Sequence, residues 1–192
     1  MTENQIEHLI AGSIKGGARI AALRIARATA EICERDAIVT DVSPIIRRQN
    51  WWKNVFRYRL ETVVLGWGTE ETILPEKTTL GPLGKRLKGK TVHLHCIYGS
   101  GLRIEDIRKI SKKSNVIWTI HDTRWLSGSR PAGKDLEKHT KKWWKAKTSA
   151  IGSALLSVRL KRALKTVTVV FPSASAQDLA VSSGFTRSVK HT

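Results

Sequence analysis

Two rhythms alternate along this chain, short β-type runs and longer stretches with helical spacing, and their order predicts an architecture. Gln5 to Ala11 reads as a first strand, and Gly12 to Gly17 as a glycine-containing turn. From Ala18 to Cys33, apolar Ile20, Leu23, Ala26 and Ala30 recur at helical intervals among good helix formers. Ala37 to Val42 is a second strand, closed by Ser43-Pro44. Ile45 to Leu65 reads as a basic amphipathic helix, and Gly66 to Lys90 as loops around a short element. A third strand spans Thr91 to Cys96. The turn Tyr98-Gly99-Ser100-Gly101 leads to a helix from Ile104 to Lys112, and a fourth strand spans Asn115 to Ile120. His121 to Asp135 is a polar loop. Leu136 to Leu164 is largely helical, Thr166 to Phe171 is a β-branched fifth strand, and Ser175 to Ser183 is a short helix with Gly184 as its cap.

Strands alternating with helices predict an α/β fold, a doubly wound parallel sheet of Rossmann-like type with right-handed crossovers. One domain over residues 1–192, with a basic insert at about 45–90, is the natural expectation for this length. No apolar run is long enough to cross a bilayer, and Met1 to Gln5 does not begin a secretory signal. Cys33 and Cys96 lack metal-type spacing and read as buried, reduced thiols. The net charge of +18 implies an anionic partner: nucleic acid, acidic lipid or a phosphate-bearing substrate.

Candidate chemistry collects at strand ends, where parallel sheets hold their ligands. Gly16-Gly17 lets backbone approach a ligand at a helix N-terminus, or is simply a tight turn. It is not the G-x-G-x-x-G fingerprint, so no nicotinamide or flavin cofactor is indicated. His93 and His95 share one face of their strand. They suit a metal, a substrate contact or hydrogen-bonded packing, but no neighbouring carboxylate or cysteine completes a zinc set. His121-Asp122 follows the fourth strand directly, and an imidazole oriented by a carboxylate there suits a sugar or polyol hydroxyl, or the pair is a capping His and a loop-stabilising Asp. Trp143-Trp144, within the basic run Lys138 to Lys147, suits either a membrane surface or a core-packing helix. Trp51-Trp52 among arginines adds nucleic-acid stacking as a third choice.

Four segments, in order, resemble the amino-terminal domain of family 4 glycosyltransferases that build bacterial surface polysaccharides. Gly16-Gly17-Ala18-Arg19-Ile20-Ala21-Ala22-Leu23-Arg24 looks like the family's glycine loop and first helix. Val92-His93-Leu94-His95 looks like its "IHLH" strand. Val116-Ile117-Trp118-Thr119-Ile120-His121-Asp122, with the loop to Ser127-Gly128, is similar to its "VVWTLHD" segment. Val169-Val170-Phe171-Pro172-Ser173 looks like its "VxPS" strand end. The loop lacks the cysteines that commonly follow in the related enzymes.

The resemblance implies the acceptor-side half of a GT-B enzyme that transfers a sugar from a nucleotide-sugar to a surface-polysaccharide or lipid-linked acceptor with retention. His121 and Asp122 would be the catalytic pair. Gly16, Gly17, Arg19, His95 and Ser173 would bind substrate. The expectation is of no metal and no cofactor, with the nucleotide-sugar as donor substrate, because the sequence has no acidic D-x-D cluster. The charge would suit a polyprenyl-diphosphate acceptor and a peripheral place at the inner face of an anionic membrane. The family continues into a nucleotide-binding domain past the position of Phe185. A fragment, a second chain supplying the donor half, or an inactive domain are therefore the expectations. The rivals are a basic nucleic-acid-binding protein and a non-catalytic scaffold.

Overall fold

A computed structural model describes residues 5–10, 17–34, 36–42, 80–95, 102–121 and 158–182. Five strands form one all-parallel sheet: β1 (Ile6–Ile10), β2 (Ala37–Asp41), β3 (Thr91–Leu94), β4 (Asn115–Thr119) and β5 (Val167–Val170). The spatial order is β2-β1-β3-β4-β5. The helices are α1 (Gly17–Cys33), α2 (Gly81–Arg86), α3 (Ile104–Ser111) and α4 (Ala174–Ser182), with a further helical segment at 158–164. This is an α/β architecture of Rossmann-like kind, and each predicted strand is present with slightly tighter ends. No described helix is long and apolar enough to cross a membrane.

In-register pairing sorts the side chains into two faces. Leu9, Leu94, Trp118 and Val169 are successive partners across the sheet. They belong to the main core with Leu83, Leu87, Ile104, Ile107, Ile110, Leu160 and Leu164. α2, α3 and segment 158–164 therefore cover this face. Apolar residues in β4 are continuous because a parallel sheet is buried on both sides.

Glu7 also points to this face and is wholly buried. Its carboxylate pairs with Arg86 and with Lys90 (3.1 Å), and accepts a hydrogen bond from Thr40 Oγ1 (2.8 Å). One acidic side chain thus ties β1 to β2, to α2 and to the start of β3. The N-terminus of α3 is closed by Asp106, which accepts the backbone N–H of Arg103. Glu105 and Asp106 in its first turn and Arg108 and Lys109 in its last match the helix dipole.

α1 packs on β1 and β2 from the opposite face. Of the predicted apolar stripe Ile20, Leu23, Ala26 and Ala30, Ala26 is buried and Ala30 half-buried, but Ile20 and Leu23 are 47% and 44% exposed, and Ala22, outside the stripe, is buried instead. Small alanines let the helix sit close to the sheet. Cys33, expected to be buried, is an exposed free thiol at the helix end. The reason is length: 17 helical residues span about 25 Å, while a five-residue strand spans about 17 Å. The last turn of α1 overruns the sheet. Cys96 and both tryptophan pairs lie outside the described residues, as does most of the basic insert.

Candidate functional site

The sheet reverses its winding between β1 and β3. From β1 the chain crosses over α1 to β2 on one side, and from β3 over α3 to β4 on the other. Ligands of doubly wound sheets bind at such a switch point, outside the carboxyl ends of the strands.

Four of the chain's six histidines form a row there. His8 and His93 are register partners on β1 and β3, with ring centroids 5.1 Å apart. His93 and His95 share a face as the sequence predicts, at 4.0 Å. The backbone N–H of His95 donates to Leu9 O, so the residue after β3 stays bonded to β1. Its ring stacks on His121, just past β4, at 5.8 Å.

His8 Nδ1 and His95 Nε2 share one proton across 3.1 Å. His93 Nε2 bonds Thr119 Oγ1 at 2.8 Å. His8 Nε2, His95 Nδ1 and His121 Nε2 are buried without a hydrogen-bond partner among the described residues. Each such atom costs about 1–3 kcal/mol relative to hydration. The row therefore stands against stability and asks for a functional reason.

Burial disfavours the imidazolium, so all four groups titrate below the ordinary histidine value. Burial pushes His93 down to about 4, and the charges of His8 and His121 add to it. Burial pushes His95 down to about 2, with His93, His8 and His121 contributing after it. At neutral pH the row is a set of uncharged imidazoles. Such groups donate or accept single hydrogen bonds and ligate metals.

Among the other predicted site residues, Gly17 opens α1, where an added Cβ would meet no described atom within 4 Å. Nothing described in the chain requires glycine there. Arg19 is engaged by Asp41, 3.2 Å away at the end of β2. Ser173 acts as the cap of α4, its Oγ accepting the N–H of Ala176 at 3.3 Å. Gly16 and Asp122 lie outside the described residues. The structure thus brings His95 and His121 together, and places Arg19 and Ser173 in structural contacts.

His8 carries no role in the sequence reading. The signal was the alternation Ile6, His8, Ile10, which puts the imidazole on one strand face. Its partners follow only from pairing β1 with β3. The set of histidines thereby gains the third potential metal ligand that the local sequence around His93 and His95 does not supply. The comparisons with known proteins add nothing to this geometry: no family model, no curated protein and no solved structure matches the chain.

Proposed function

We propose that this chain is the acceptor-side domain of a retaining, family 4-like glycosyltransferase of GT-B type. It would serve the transfer of a sugar from a nucleotide-sugar to a surface-polysaccharide or lipid-linked acceptor. The observation that carries this reading is the pairing of His121 with His95 at the carboxyl edge of neighbouring strands, beside the switch point. An uncharged imidazole there offers one directional hydrogen bond to a sugar hydroxyl and repels no phosphate.

Asp122 would orient His121, as the resemblance implies. Gly16 and Gly17 precede or open α1, whose free N–H groups favour a phosphate. The excess of lysine and arginine favours a diphosphate-linked acceptor at an anionic membrane surface, which makes the domain peripheral to the cytoplasmic face. The donor nucleotide would be held by a second Rossmann-like domain, in this chain's own continuation or in a partner chain.

The test uses the full chain, alone and with a donor-binding partner domain. Saturation-transfer NMR follows binding of nucleotide-sugars and of a polyprenyl-diphosphate saccharide, and labelled sugar follows transfer. We expect saccharide binding by the chain. His121→Ala should lower kcat/KM by about 100-fold or more. A folded chain that binds neither donor nor acceptor in either setting refutes the reading.

A further inference from the structure

The inner end of the histidine row lies beyond the reach of a saccharide at the sheet's rim. His8 sits in the middle of β1 and is wholly buried. We propose that His8, His93 and His95 form a three-histidine site for a divalent transition-metal ion, with zinc as the first candidate and His121 beside the fourth coordination position. The site shares His95 with the sugar-transfer reading but does not rest on it, since the three ligands are brought together by the pairing of β1 with β3.

Geometry makes the first argument. One ring nitrogen from each of the three residues lies within 4.8 Å of the other two. Around tetrahedral zinc, with Zn–N bonds of about 2.0–2.1 Å, ligand nitrogens stand about 3.3–3.4 Å apart. His8 Nδ1 and His95 Nε2 are already 3.1 Å apart. Closing the remaining gaps, 4.8 Å at most, takes relative shifts of up to about 1.4 Å, within reach of small side-chain rotations.

Donor chemistry makes the second. Three neutral imidazoles suit zinc, copper or nickel, whereas magnesium and calcium select oxygen donors. Among the described residues, Glu7 points to the other face with Arg86 and Lys90, and Asp41 is held by Arg19. A bound ion would keep its full double charge, and an open fourth position would leave it a Lewis acid. A search for acidic pairs in the sequence cannot find such a site.

The surroundings make the third. Thr119 holds Nε2 of His93, which leaves Nδ1 as the nitrogen His93 offers. An outer hydrogen bond of this kind fixes the orientation of a ligating ring. The binding nitrogens would be the facing pair, His8 Nδ1 and His95 Nε2, while His8 Nε2 and His95 Nδ1, buried with no partner among the described residues, would keep the ring protons. Three rings gathered with so few hydrogen bonds are under-satisfied as packing residues. An ion between the facing nitrogens of His8 and His95 would remove their competition for a single proton.

The experiment uses the untagged full chain, stripped with a chelator and titrated with Zn²⁺ and, separately, Co²⁺. We expect one ion per chain, a higher melting temperature with zinc, and the intense visible absorption of a tetrahedral cobalt site. His8→Asn and His93→Asn should each weaken zinc binding by at least about 100-fold, as loss of a ligand exceeds loss of an outer partner. His139→Asn, His191→Asn, Cys33→Ser and Cys96→Ser should each keep one ion per chain. Far-UV circular dichroism of the metal-free variants separates lost binding from lost folding. If the ligand variants do not fold, the cobalt spectrum of the unmodified chain decides. A folded chain that takes up no zinc, a weak octahedral cobalt spectrum, binding that survives His8→Asn in a folded variant, or binding abolished by any of the control substitutions overturns the proposal.

Discussion

His8 Nδ1 and His95 Nε2 stand 3.1 Å apart although 87 residues separate them in the chain. The contact arises because parallel pairing sets His8 beside His93 and leaves His95 bonded to Leu9 just beyond β3. Two imidazoles at this distance, in a buried setting, cannot both carry a proton on the facing nitrogens. That constraint makes the row sensitive to acid.

In the chelator-treated chain, stability should fall as pH drops below about 6.5. The sign follows from linkage: these groups bind protons more weakly when folded, so the unfolded chain takes up more of them. The stabilisation is complete above the ordinary histidine value. It is lost as pH falls toward about 4 for His93 and about 2 for His95. Each full proton of difference changes stability by about 1.4 kcal/mol per pH unit. Urea unfolding at pH 7.5, 6.5, 5.5 and 4.5 measures the slope, and His95→Gln should reduce it. A flat profile over this range contradicts the burial of the row.

Glu7 is the structural counterpart on the other face. Glu7→Gln removes the charge that Arg86 and Lys90 share, and leaves the largely buried Lys90 ammonium without its carboxylate. We expect a loss of about 3 kcal/mol. Breaking the exposed Arg27–Glu31 pair, 3.9 Å apart on α1, should change stability by less than about 0.5 kcal/mol. Equilibrium denaturation of Glu7→Gln and Glu31→Gln compares the two directly.

Arg159 grips Glu105 with two bonds of 2.7 and 2.8 Å, joining segment 158–164 to α3. Burial alone raises the Glu105 carboxyl, but the hydrogen bonds and charge of Arg159 outweigh it and hold the group below its ordinary value of 4.5. Its contribution is therefore present above pH 4.5 and is lost as pH falls through the lowered value. A double-mutant cycle with Glu105→Gln and Arg159→Gln should give a favourable coupling at pH 7 that fades toward pH 3. Coupling that does not weaken in acid contradicts the pairing.

Trp118 is the largest fully buried side chain, placed on the main core face beside Leu94 and Val169. Trp118→Ala should cost about 3–5 kcal/mol through lost transfer energy and an unfilled cavity. Val170→Ala, at a position 41% exposed, should cost well under half of that. Thermal unfolding of both variants tests the assignment of faces. Equal losses would mean the register of β4 or β5 is wrong.

How far the sequence could be read depends on the range of each signal. The alternation of Thr91 to Leu94 and the apolar run Val116 to Thr119 act over a few residues, and both strands appear where predicted. The facing of His93 and His95 is equally local and was legible. On α1 the sequence leaves the buried face open by part of a turn, because apolar residues at both 20–23 and 22–26 fit a helix. Only the packing on β1 and β2 chose Ala22 over Ile20 and Leu23. Arg19 and Ser173 resembled ligand residues in sequence, yet one meets Asp41 and the other caps α4. Those partners depend on where β2 ends and where a helix begins.

The amino-acid order by itself determined the succession of strands and helices, because backbone preference and hydrophobic spacing are settled among neighbours. Tertiary structure alone decided that β1 would lie between β2 and β3 and bring His8 to His93, His95 and, beyond them, His121. Strand neighbours in a parallel sheet are joined through crossovers, so their register is set by the packing of the whole sheet and its helices. A site assembled across that register has no signature in any single stretch of chain.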